Sequence, residues 1–234
     1  MNQSPAQRHR LRVLAAKQAQ QAADAGAHGE ATGSAYEMQL TQLHQFRLRL
    51  KDVQSLERRA EMKRTMLPEF DDYIDAVLQA APGVQDDVLA TVLLWSLDAG
   101  MYDRGLALAS YALEHGLKMP DRFERPVQTI VIDEVGEAVM AGRLAGKDAV
   151  RITAEVIAMT DGLDAHDQAR AKLYKAAGWA LLGKTSSSDV DMESRPLTAC
   201  RKAMPLLKRA FELDTRTGVK KDIERLERRL KKEA

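Results

Sequence analysis

The most specific chemical motif in the chain is Gly178-Trp-Ala-Leu-Leu-Gly183-Lys184-Thr185, which fits the phosphate-binding pattern G-x-x-x-x-G-K-[ST]. Thr129-Ile-Val-Ile-Asp133-Glu134 could serve as the apolar strand and acidic pair that hold Mg²⁺ in a P-loop ATPase. A P-loop must follow a buried strand, wrap phosphates in small residues and open a helix. Here Ala165 to Leu182 carries helical periodicity through Ala169, Leu173, Ala176, Ala177 and Ala180. Trp and Leu fill the would-be loop, Ser186-Ser-Ser-Asp189 follows it, and the acidic pair precedes it. Gly183 reads better as a helix C-cap, with Lys184 favourable at the helix's negative end. An ATPase through Gly178–Thr185 stays as an alternative.

A nuclease needs carboxylates that converge on Mg²⁺. Asp71-Asp72-Asp75, Asp86-Asp87 and Asp133-Glu134-Glu137 are the candidates. Pro120-Asp121 with Glu124 weakly resembles a restriction-type set, but Pro126 stands where its lysine belongs. Each cluster lies at an expected helix beginning, where acids cap and complement the dipole. The five histidines are scattered without metal-ligand spacing, and Cys200 stands alone, a small core residue rather than a nucleophile. The residues therefore assign no catalytic, metal or cofactor position.

Charge is more informative. The chain of 234 residues has a net charge of only +1. Residues 1–64 hold 11 Lys and Arg against 6 Asp and Glu, and residues 195–234 hold 13 against 6. Basic ends flank an acidic middle, and clustered cations suit the sequence-independent attraction of a phosphate backbone. Arg8, Arg10, Arg12 and Lys17, with Arg47, Arg49, Arg58 and Arg59, are the candidate DNA contacts.

The elements that position these residues read as helices throughout. Ser4 as N-cap, Pro5 and Gln7 form a capping box that opens a helix to about Ala25, ended by Gly26. After a small-residue linker, Ser34 and Glu37 suggest a second box and a long helix to about Met66, before Pro68. Leu43, Phe46, Leu50 and Val53 make a short seam for self-association or for core packing. From Pro68 onward short amphipathic helices alternate with Gly and Pro. The run around Trp95, Leu97 and Tyr102, with small Ala107 and Ala109, resembles a tetratricopeptide hairpin. A last, highly charged helix from about Gly218 presents Val219, Ile223, Leu226 and Leu230 on one stripe, of which Ile223, Leu226 and Leu230 are candidates for docking a partner.

The expected fold is all-α. Residues 1–33 form a basic helical arm and linker, 34–66 a long helix, 67–183 a bundle of helical hairpins, and 184–234 the C-terminal helices. No run reaches the roughly 18 apolar residues of a membrane span, and one cysteine fits a reducing compartment, so the cytosol is the expected location.

Six segments, Ser4–His9, Gln85–Trp95, Leu97–Gly100, Tyr111–Pro120, Ala169–Gly178 and Gly218–Lys231, resemble in order the small terminase subunit of tailed phages. The resemblance implies a subunit acting in the host cytoplasm that recognises double-stranded viral DNA. It also implies a homo-oligomer, often a ring, and a large terminase subunit that carries the ATPase motor. Proteins of this group are sometimes called the endonuclease subunit, so a metal-dependent endonuclease component is the alternative that the resemblance carries.

Overall fold

The computed structural model describes residues 4–24, 29–120, 123 and 125–232. The fold is all-α, as the composition and periodicity imply. Its contacts divide the chain between Val127 and Gln128 into two compact units, and the division falls inside the 67–183 segment.

The first unit begins with α1 (Pro5–Asp24). The Ser4 amide donates to Gln7 Oε1 at 2.8 Å and the Gln7 amide to Ser4 Oγ at 3.3 Å, the reciprocal bonds expected of a capping box. Leu11, Ala15 and Ala19 recur at every fourth residue and are buried, and α1 packs against α4 (Asp71–Ala80). The basic helix is thus docked along its length rather than projecting as an arm. Its expected stop at Ala25-Gly26 lies outside the described residues.

The long helix expected over 34–66 is two helices, α2 (Ser34–Lys51) and α3 (Leu56–Met66). Ser55 causes the break: its backbone is extended, and its hydroxyl accepts from the Arg58 amide at 3.3 Å. Ser34 does not cap α2. Gly33 occupies that position, while Ser34 Oγ instead accepts from Gln18 Nε2 at 3.2 Å.

Phe46, Phe70 and Trp95 form successive edge-to-face pairs at 5.8 and 6.5 Å, with Leu43, Leu67, Leu89 and Leu93 buried in the same unit. α5 (Asp87–Asp98) and α6 (Tyr102–Glu114) form the expected hairpin. Gly105 allows their close approach, since a Cβ there would lie 2.5 Å from Leu97 Cδ2. Of the two alanines expected at that contact, Ala109 is buried and Ala107 is exposed. Gln85 joins two loops. Its backbone bonds to Gly29 and Ala31, and its side-chain amide clasps the Lys118 peptide with bonds of 2.8 and 2.9 Å.

The second unit holds most of α7 (Val127–Met140) and all of α8 (Gly146–Thr160), α9 (Asp167–Leu182), α10 (Leu197–Leu213) and α11 (Lys220–Lys231). α9 and α10 pack extensively against each other. Trp179, Leu182, Val190, Met192, Cys200, Leu207, Val219 and Leu226 form one core cluster there. Cys200 is the core residue its position implied, and burial pushes its thiol pKa up.

Candidate nucleic-acid interface

Asp72 organises one edge of α1. The residue is 4% exposed, and its carboxylate accepts from Arg8 Nε at 3.1 Å and Arg12 Nε at 2.8 Å. Burial alone would raise its pKa, but the two guanidinium groups outweigh that effect and hold it below the ordinary carboxylate value. Both arginine side chains remain at least half exposed, at 50% and 65%, so they are fixed in direction without being withdrawn from solvent. Arg10 and Lys17 are exposed and make no ion pair among the described residues. All four α1 cations are therefore displayed, two oriented by Asp72 and two free.

The cations of α2 and α3 do not form one set. Arg47 turns inward and donates to Thr91 Oγ1 at 3.0 Å, and burial lowers its pKa. Arg49 is exposed and lies over the Phe46 ring at 5.5 Å. Arg58 is exposed, whereas Arg59 is half-buried and directs its Nε to the Val53 carbonyl. Only Arg49 and Arg58 of these four extend freely into solvent.

The apolar seams are largely enclosed. Leu43, Phe46 and Leu50 are buried in the first unit, with Val53 partly exposed. In the second unit Leu226 is buried, and Ile223 and Leu230 pack partly exposed against the core around Trp179 and Leu207.

The P-loop pattern has another role. Gly178 lies inside α9, where a Cβ would come within 2.6 Å of Leu207 Cδ2, so this glycine serves close helix packing. Gly183 is the left-handed C-cap expected of it, and the Lys184 amide donates back to the Trp179 carbonyl at 2.9 Å. The Lys184 ammonium meets buried Asp222 at 2.6 Å, and Trp179 Nε1 donates to the same carboxylate at 2.9 Å. These residues fasten α11 onto α9. Thr129–Glu134 belongs to α7 and is helical.

The acidic clusters are also engaged locally. Asp71 pairs with Arg104, and Asp133 pairs with Lys172 at 2.8 Å. Asp86 caps α5 through the Leu89 amide at 2.9 Å and accepts from the Tyr73 hydroxyl at 2.7 Å. Its complete burial raises its pKa to about 6, despite the hydrogen bonds that oppose the shift. Among the described residues no group of three or more His, Cys, Asp or Glu could hold a metal ion. The Asp121 and Glu124 candidates lie outside the described residues.

Sequence reasoning missed Asp72 and Asp222 as fixed points. Asp222 carried a signal, because it falls between Val219, Ile223 and Leu226 on the inward stripe of α11. Asp72 carried none, since its partners lie about 60 residues earlier.

The family profile described as phage small terminase subunit matches residues 40–168. A protein of Escherichia phage P2 named "Terminase, endonuclease subunit" is 38% identical over 229 residues, 97% of this chain and 86% of its own length. A protein of Haemophilus phage HP1 named "Probable terminase, endonuclease subunit" is 27% identical over 169 residues, 70% of this chain and 59% of its own length. No solved structure matches. With a profile covering more than half the residues and a relative aligned almost end to end, the chain belongs to the phage small terminase subunit family.

Proposed function

We propose that this chain is the DNA-recognition subunit of a terminase and binds double-stranded viral DNA through the exposed cations of α1. The observation that carries the reading is the helix's combination of firm docking and outward charge. Arg8, Arg10, Arg12 and Lys17 are solvent-exposed, and no acid occurs on α1 before Asp24. A rigidly held basic helix contacts phosphates with less loss of conformational freedom than a mobile one. Arg49 and Arg58 are secondary candidates, and inward-turned Arg47 contributes least.

Family membership supports the remaining parts of the role: assembly into a homo-oligomeric ring, delivery of DNA to a large subunit with the ATPase motor, and action in the host cytoplasm. No helix among the described residues is long and apolar enough to cross a membrane. Leu43, Phe46 and Leu50 are enclosed in the first unit, which favours self-association through another surface. The partly exposed Ile223 and Leu230 edge of α11 remains the candidate for docking the large subunit.

Fluorescence anisotropy of the full chain on a labelled duplex of about 30 base pairs tests the DNA reading. Binding should occur at low salt and weaken steeply as salt rises. Lack of binding at low salt, or affinity indifferent to salt, contradicts it.

A second reading has one specific observation behind it: both relatives carry "endonuclease" in their names. Mg²⁺-dependent cleavage of duplex DNA by the purified chain, abolished by a carboxylate substitution, would establish that reading in place of a purely binding role.

A further inference from the structure

The two faces of α1 differ in kind. Its inner face buries Leu11, Ala15 and Ala19, and Asp72 fixes Arg8 and Arg12 at one edge. Its outer face exposes Ala6, His9, Arg10, Val13, Ala16 and Lys17. Val13 is 53% exposed, among the most exposed large apolar residues described. The Asp24 carboxylate accepts from Gln20 Nε2 at 2.8 Å at the far end of the helix. A face that is merely solvated usually interleaves acids and bases at i,i+4. This one combines cations with small apolar groups and has no acid through its first four turns.

We propose that the outer face of α1 reads base edges in the major groove of duplex DNA, with Arg10, Val13 and Lys17 determining sequence preference. The proposal rests on the duplex-binding role above and assigns the part of the surface that discriminates sequence. An α-helix fits the major groove, where guanine O6 and N7 accept two bonds from arginine and the thymine methyl meets an aliphatic side chain. Arg10 and Lys17 lie seven residues apart, about 10 Å along the helix axis. That distance matches about three base-pair steps at 3.4 Å each. Ala6 within this stripe and Ala16 beside it are small, so the backbone can approach the groove floor. Arg12 gives both its Nε and Nη2 to one Asp72 oxygen, which leaves it a positioned charge rather than a free two-pronged reader.

Selection of preferred sites from a random duplex library, with the purified full chain, tests this assignment. The native protein should enrich a motif. Arg10→Ala should lose preference at a guanine in that motif and bind the selected duplex about 10-fold more weakly. Val13→Ser should relax a thymine position, and Arg10→Ala should weaken the selected duplex at least about 5-fold more than it weakens unselected duplex. Unchanged melting temperatures are expected, because neither side chain is buried. Variants that enrich the native motif unchanged, or that weaken selected and unselected duplex equally, overturn the proposal. Native protein that binds duplex but enriches no motif overturns base reading alone. Absence of any duplex binding overturns the recognition role together with it.

Discussion

Asp72 and Asp86 respond to pH in opposite directions. Asp72 has a lowered native pKa, so its contribution to stability is present above the ordinary carboxylate value and is lost as pH falls through the native one. Asp86 is raised from 3.8 to about 6, so the native state gains a proton over that interval before the unfolded state does. Stability from this group therefore falls as pH rises from 3.8 to about 6 and stays reduced above it. Asp86→Asn retains an N-cap acceptor for the Leu89 amide and removes the buried charge. Melting curves should show it more stable than the native chain at pH 7, by about 1–3 kcal/mol, with the advantage gone near pH 4. An equal effect at both pH values would assign the change to packing instead.

At Lys184 the same scale separates two explanations of one motif. Lys184→Ala leaves buried Asp222 without its cation and should destabilise the protein by about 3 kcal/mol. Substitution of Asp222 by Asn in the same chain should recover much of that loss. A phosphate-binding lysine predicts a different result: ATP would raise the melting temperature of the native chain and not that of the variant.

Helices were the most legible level of the structure. The Ser4-Gln7 box, the α5–α6 hairpin and the Gly183 stop follow from local patterns, because each depends on bonds spanning a few residues. The α2–α3 break was hidden by continuous hydrophobic spacing across Leu50 and Val53, although Ser55 followed by Glu57 is itself a helix-start signal. Ser55→Ala should cost about 1 kcal/mol by loss of that cap, measured by denaturant unfolding. The docking of α1 was legible only in part. Its apolar stripe can be read from spacing, but the partner α4 and the anchor Asp72 are set by tertiary contacts. The basic candidates show the same limit: composition marks eight residues, and packing decides that Arg47 faces Thr91 while Arg10 faces solvent.

Across the molecule, charge and apolar surface are divided between tasks. In the C-terminal segment much of the basic charge holds its own unit together. Arg225 pairs with Asp189 at 2.9 Å, Lys232 with Glu193 at 2.7 Å, and Lys208 with Glu227 at 3.1 Å. On α1 two cations pair with one carboxylate, Arg10 and Lys17 have no ion pair among the described residues, and no acid precedes Asp24; the proposed DNA contact is placed there. Duplex affinity against salt concentration, compared between the native chain and Arg10→Ala/Lys17→Ala, tests this central claim most directly. On the selected duplex, removal of these two groove-facing cations should weaken low-salt binding at least about 10-fold and make the slope of log affinity against log salt shallower by about 1–2. Affinity and slope equal to those of the native chain, with the fold intact, would contradict α1 as the DNA-binding element.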